Sequence, residues 1–310
     1  MKTTMRDALV SALLEHDLDT RFCFLTGDLG FNALEPLRER LGKRFINMGI
    51  AEQNMVSVAA GLARGGMRPW VYTIGPFCYA RAFEQIRNDI CLHNLPICLV
   101  GSGGGYYYGV QGPTHHSLED CAVLGSLQHM TVYVPGFCED IAPLVRLLVQ
   151  EHGPAYMRLD RDECTESLTP PPFSPMRMLC RGEAGVVLVL GSLAGSTWEA
   201  AMGLPGRLRP SLWCCSRLPR TAQDFPKDLV AQVQAAPWVV VAEEHVASGG
   251  LGDAFARLAM ENDFVPRRFV HCHSKGYPSG LYGSQLYHRK ECGLDAYSLI
   301  RLVASLEANP

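Results

Sequence analysis

Short β-rich apolar runs at Phe22 to Thr26, Trp70 to Thr73, Ile97 to Gly101, Thr131 to Val134 and Ala155 to Leu159 alternate with stretches of helical periodicity. That rhythm predicts a parallel sheet covered by helices. Between Cys164 and Gly185 it breaks into SLTPPPFSPMRM, whose four prolines suit neither a helix interior nor a central strand. Val186 to Leu190 and Trp238 to Ala242 resume the pattern, each followed by helix-like sequence. The expected fold is therefore α/β in two consecutive domains, each a mostly parallel sheet flanked by helices. Residues 1–165 form the first, 166–184 a proline-rich linker and 185–310 the second. Leu294 to Glu307 has apolar residues at helical spacing and is expected to pack on the second domain.

The N-terminal MKTTMRDALVSALLEHD mixes acids and His16 with apolar residues, which reads as an amphipathic helix rather than a signal peptide. No run approaches membrane-spanning length. With 310 residues, 47% hydrophobic and 19% charged, the chain can bury two cores. A net charge of -3 supplies no broad basic face, so neither nucleic acid nor a membrane surface is an expected partner. Twelve cysteines are scattered from Cys23 to Cys292 without a CxxC pair, in a chain too large to need disulfide staples. Reduced thiols in a cytoplasm are the expectation.

Three stretches carry candidate chemistry. In INMGIAEQNMVSVAAGLARGG, from Ile46 to Gly66, a turn at Gly49 opens a helix whose apolar positions Met55, Val58, Ala59 and Leu62 face one way. Glu52 then lies in the first turn, where backbone N–H groups and the helix dipole stabilise an anion; a surface carboxylate has the same pattern. From Tyr72 to Ile90, a strand passes through a Gly-Pro turn into a helix, presenting Phe77 and Tyr79 near the strand's C-terminal edge, where parallel sheets commonly bind ligands. Aromatics there equally suit a core. The third, GVQGPTHHSLED from Gly109 to Asp120, is a broken loop leading into a helix begun by Ser117. Its adjacent histidines project differently and no nearby Cys or His completes a zinc set.

G-I-A-E-Q-N, F-x-x-x-R-A-F-E-Q-I-R and G-P-T-H together resemble the pyrimidine-binding half of the transketolase family, shared with deoxyxylulose-phosphate synthases and 2-oxo acid dehydrogenase beta subunits. The resemblance runs from about Met5 to Glu307 and points to the C-terminal subunit of a split transketolase. It implies thiamine diphosphate as cofactor, with the Glu52 carboxyl hydrogen-bonded to N1' of the aminopyrimidine. Phe77 would stack on that ring, with Ile74 and Tyr79 as further wall residues and Asp28 as an acid near the cofactor. His115 would be the catalytic-site histidine, suited to proton transfer or to hydrogen-bonding the donor's developing alkoxide.

Departures from the family pattern bear on substrate. Transketolases usually carry an Asp where Gln111 stands and a His near Gly103, so two polar sugar contacts differ. Arg161, and secondarily Arg158, are implied as grips for an anionic substrate. Asn32 replaces a serine that usually assists. The run Glu243, Glu244, His245 precedes a glycine turn and has too few converging ligands for a metal; a structural or interface role is expected.

The family's Mg2+ site, a GDG segment followed by paired asparagines, has no counterpart in the sequence. A diphosphate needs such an ion and its oxygen ligands, so a separate GDG-bearing pyrophosphate-domain subunit is implied. The expected assembly is α2β2, with self-association through this chain. The expected reaction moves a two-carbon ketol unit from a ketose donor to an aldehyde, in a specialised sugar or secondary-metabolite pathway. Two alternatives stand beside it: a decarboxylating enzyme of deoxyxylulose-phosphate-synthase or 2-oxo acid dehydrogenase type, and a noncatalytic assembly partner.

Overall fold

The five strands anticipated in the first half form within two residues of their expected ends. In the computed structural model, which describes residues 3–165 and 167–308, the first unit holds strands β1 (Phe22–Thr26), β2 (Phe45–Asn47), β3 (Arg68–Ile74), β4 (Cys98–Ser102), β5 (Thr131–Tyr133) and β6 (Ala155–Leu159). They form one sheet in the order β2-β1-β3-β4-β6-β5, with parallel pairing throughout. Its helices are α1 (Met5–Glu15), α2 (Glu35–Leu41), α3 (Glu52–Arg64), α4 (Gly75–Tyr79), α5 (Phe83–Gln85), α6 (Asp120–Gly125) and α7 (Ile141–Leu148). The second unit holds β7 (Met176–Cys180), β8 (Val186–Leu190), β9 (Ser211–Cys215), β10 (Val239–Ala242) and β11 (Phe269–Cys272), in the order β11-β10-β8-β9-β7. Around it lie α8 (Leu193–Met202), α9 (Lys227–Ala235), α10 (Leu251–Glu261), α11 (Gln285–Cys292) and α12 (Ala296–Ala308).

Three local expectations differ. The proline-rich segment is more than a connection, because β7 begins directly after Pro175 and pairs antiparallel with β9. At the sheet edge a strand needs hydrogen bonds on one side only, which makes the position compatible with neighbouring prolines. Ser117 does not start a helix: its backbone exchanges 2.9 Å hydrogen bonds with Gly105, and α6 begins at Asp120. Helix α3 buries Met55, Val56, Ala59, Ala60 and Ala63, whereas Val58 and Leu62 are only partly buried. Its alanine face lets the helix lie close on β3.

One apolar core joins the two sheets, running from Leu25, Val71 and Leu99 through Val132 and Val134 to Leu188 and Val241. Burying each such side chain contributes roughly 1.5–3 kcal/mol, so the joint is a packed one rather than a hinge of polar contacts. Backbone bonds cross it as well: Val134 N–H donates to the Ser216 carbonyl at 2.8 Å and Leu218 N–H to the Val132 carbonyl at 3.0 Å. A buried Arg177–Asp140 pair at 2.6 Å adds a third tie.

Candidate functional site

Because every strand of the first sheet runs in the same direction, the loops after β1, β2, β3, β4 and β6 emerge along one edge. The order of the strands reverses between β1 and β3, the kind of switch point where α/β sheets leave a crevice. Asp28 follows β1, Glu52 follows β2, Phe77 follows β3, Gly103 follows β4 and Arg161 follows β6.

Glu52 is the first residue of α3, reached through a tight turn at Gly49, whose φ of 71° suits a residue without a side chain. Its side chain is 3% exposed and accepts a 2.7 Å hydrogen bond from Arg81 Nη1. The Arg81 guanidinium also lies over the Phe77 ring, 4.3 Å from its centroid. Phe77 in turn meets the edge of His115, with ring centroids 5.4 Å apart, and Tyr108 meets His115 from another side at 5.8 Å. Thr114 Oγ1 lies 2.9 Å from His115 Nδ1 and holds that nitrogen. Glu52, Arg81, Phe77, His115 and Tyr108 thus form one continuous chain of contacts along the sheet edge. One planar group, the Arg81 guanidinium, touches both the Glu52 carboxylate and the Phe77 face, and the space it fills is the slot between them. An aminopyrimidine is likewise flat, and its ring nitrogen can hydrogen-bond a carboxyl group while its face stacks on an aromatic ring, so these residues fit that half of thiamine diphosphate.

Other expected residues divide between rim and interior. Ile74 ends β3 and is half-buried. Asp28 is exposed and accepts from Asn47 Nδ2 at 3.1 Å. Arg161 is exposed with its guanidinium 5.5 Å above the Tyr107 ring, and Gln111 is exposed on a short 3-10 turn. Asn32 is exposed at φ 63°, its N–H donating to Glu35 Oε1 at 2.9 Å. Two candidates lie elsewhere. Tyr79 is buried, and its hydroxyl donates to Glu119 at 2.9 Å, so it braces α4 from beneath instead of walling the slot. Arg158 is also buried, donating to Asp120 at 3.3 Å and to the Glu244 carbonyl at 2.8 Å. A guanidinium so enclosed cannot reach a substrate anion.

At Gly103 the φ is 82°, and a Cβ there would fall 2.1 Å from the Tyr108 ring. Tyr108 therefore fills the space that a side chain at 103 would need. The Tyr106 N–H donates to Glu244 at 2.5 Å, and its ring stacks on His288 at 4.7 Å. His116 Nε2 donates to the Gly109 carbonyl at 2.8 Å, and Nδ1 lies 2.8 Å from the Tyr277 hydroxyl. Burial pushes the His116 pKa down to about 4, which fixes the neutral ring that both contacts use. The second unit thus clamps the loop that carries His115.

The run at Glu243 to His245 is structural. Glu243 accepts the Leu251 and Gly252 amides at 2.7 and 2.8 Å, capping α10, and also contacts His271. Glu244 pairs with Arg289 at 2.5 Å, and burial, opposed by Arg289, pushes its pKa up. Asp120, Cys121 and His245 converge closely. Their polar atoms are committed, however: Asp120 holds Tyr156 and Arg158, and His245 Nε2 accepts the Ala122 amide. Arg81 is the contact that residue patterning missed; it lay within the F-x-x-x-R-A-F motif without an assigned role.

An α/β chain of this strand order, with a buried helix-opening acid and an aromatic ring joined by one arginine at the strand-end edge, has the layout of a pyrimidine-binding half. Residues 3–166 match the family "Transketolase, pyrimidine binding domain". The chain belongs to the transketolase family and corresponds to the C-terminal subunit of a split transketolase. It is 32% identical to 1-deoxy-D-xylulose-5-phosphate synthase 2 of Geobacter sulfurreducens, over 91% of this chain but 44% of that protein. With one subunit of the apulose-4-phosphate transketolase of Actinobacillus succinogenes it shares 28% identity over 88% of each chain. Among solved structures, a split gene transketolase described as an inactive beta4 tetramer superposes with a TM-score of 0.81 at 28% identity, covering 99% of this chain and 98% of that one. The chain thus spans under half the length of the synthase and nearly all of the split subunits.

Proposed function

We propose that this chain supplies the aminopyrimidine half of a thiamine diphosphate-dependent transketolase that moves a two-carbon ketol unit from a ketose to an aldehyde. The observation that supports it is the Glu52–Phe77 slot, where one planar group, the Arg81 guanidinium, hydrogen-bonds a buried carboxylate while lying over an aromatic face. When bound, the cofactor supplies the carbon that carries the transferred unit. Glu52 hydrogen-bonds its ring nitrogen, and Phe77 and Ile74 orient the ring. His115, with Nδ1 engaged by Thr114, presents Nε2 for a proton at the donor's oxygen. Arg161 grips an anionic end of the substrate, with Gln111 and Asn32 on the same rim and Asp28 beside the cofactor.

The diphosphate and its Mg2+ are assigned to a GDG-bearing partner subunit in an α2β2 assembly. Exposed Ile50, two residues before Glu52, and exposed Val110, in the loop before His115, suit burial against such a partner. The β4 assembly of the similar split-gene chain supports self-association here, and its inactive state supports the need for a second kind of subunit. The similarity to a deoxyxylulose-phosphate synthase keeps a decarboxylating donor as the second reading.

Calorimetry with thiamine diphosphate and Mg2+ tests the assignment, on this chain alone and after co-expression with a GDG-bearing subunit. Binding only by the mixture is expected; tight binding by the isolated chain overturns the split site. During turnover, CO2 release selects the decarboxylating reading. Unchanged activity after Glu52→Gln selects a noncatalytic role.

A further inference from the structure

Arg81 meets the two groups that the aminopyrimidine needs. Its Nη1 donates to the buried Glu52 carboxylate at 2.7 Å, and its guanidinium lies 4.3 Å from the Phe77 centroid. A planar cation that hydrogen-bonds the acid while stacking on the ring reproduces both recognition contacts of the slot. Both groups cannot occupy it together.

The backbone around Arg81 suits a side chain that moves. Helix α4 ends at Tyr79 and the next helical stretch, α5 continued by a π-helical segment to Cys91, starts at Phe83, so Arg81 sits in the break between them. Its N–H reaches back to the Pro76 carbonyl at 3.3 Å, but its side chain remains 42% exposed. Solvent is therefore directly available to the departing guanidinium. Glu52 differs: at 3% exposure its carboxylate requires a partner, because an ionised group buried alone is costly. Arg81 provides that partner from the rim.

Resting on the cofactor reading above, we propose that Arg81 is an internal competitor for the aminopyrimidine slot: loading exchanges the Arg81–Glu52 pair for a Glu52–ring contact, and the stack of Arg81 on Phe77 for a stack of the ring. No covalent bond changes. The slot is competent only in the fraction of molecules whose Arg81 has swung out, and apparent affinity falls by that fraction. Arg81 is thus a positioning residue that keeps a buried acid compensated and sets the threshold of cofactor saturation.

The test uses the assembled complex with its GDG-bearing subunit, comparing wild type with Arg81→Met and Arg81→Gln. Thiamine diphosphate affinity is read by calorimetry with Mg2+, and thermal melting is read with and without the cofactor. Removing a partly exposed competing pair should tighten cofactor binding about five- to tenfold. Cofactor addition should also raise the melting temperature further in the variants than in wild type, because ligand stabilisation grows with affinity. If either variant fails to assemble, the other carries the test by the same two criteria. Equal or weaker binding in the variants, with wild type binding normally, overturns the competitor. Failure of wild type and variants alike to bind thiamine diphosphate overturns the cofactor reading itself.

Discussion

The Tyr106 amide donates to the Glu244 carboxylate at 2.5 Å, a bond that ties the loop after β4 to the end of β10. Glu244 also holds Arg289 at 2.5 Å, and Arg289 reaches Glu163 at 2.5 Å, so one buried acid connects three segments. Removing a partner from such a network leaves a buried charge uncompensated, at a cost of roughly 3–5 kcal/mol. Glu244→Gln keeps the shape but removes the charge facing Arg289. Urea unfolding should show a lower midpoint with an unchanged slope, and an unchanged midpoint would mean that the clamp contributes little.

Glu52→Gln preserves the size of the side chain and removes its acid. Loss of an acid–base contact lowers turnover by about a hundredfold or more. Gel filtration should show the same assembly as wild type, which separates chemistry from folding. Activity within a few-fold of wild type would remove Glu52 from the mechanism.

His116 gives stability a pH dependence of known sign. Its pKa is pushed from the ordinary 6.5 to about 4, mainly by burial and further by His288 and His115, against a raising hydrogen bond to Gly109. The folded protein therefore resists a proton that the unfolded chain accepts. Stability is fully present above pH 6.5 and is lost as pH falls toward 4. His288, also depressed by burial, adds a contribution of the same sign. Melting temperature should fall from pH 6.5 toward 5, before most carboxylates titrate, and His116→Gln should flatten that slope. An identical slope in the variant would place the titration elsewhere.

Several strand positions were legible from short runs rich in apolar and β-forming residues, though β9, SLWCC, was not. Phe22–Thr26, Ala155–Leu159 and Val186–Leu190 form at the anticipated residues because each is buried on both faces. β11 was not, since its FVHC sequence mixes a histidine into a partly exposed edge. Nor was β7, hidden behind prolines whose disruptive effect is weak at an edge. Glu52 and Phe77 could be placed at strand ends from local motifs, each being fixed by its own strand-to-helix turn. Arg158 and Tyr79 could not be excluded locally: their burial depends on Asp120, Glu244 and Glu119, which approach only in three dimensions. Arg81 was overlooked for the converse reason. A lone arginine between helices has the pattern of a solvated charge, and its partner is 29 residues away in sequence.

Arg161 offers the sharpest question about substrate. It is exposed at the end of β6, with its guanidinium over Tyr107, so its fork is partly oriented before any ligand arrives. On the proposed reading Arg161 holds the substrate's anionic end, remote from the reacting carbon, and such a contact is made equally in ground and transition states. Its loss raises KM and leaves kcat unchanged. Arg161→Ala in the assembled complex should therefore raise KM for a phosphorylated donor by about tenfold, the scale of one charge-assisted hydrogen-bond pair. Arg161→Lys should recover part of that loss, because it restores charge without the two parallel N–H groups. A non-phosphorylated donor should respond to neither variant. If both donors respond alike, the residue shapes the pocket and does not read the anion; if neither responds, the anionic end of the substrate lies on another part of the rim.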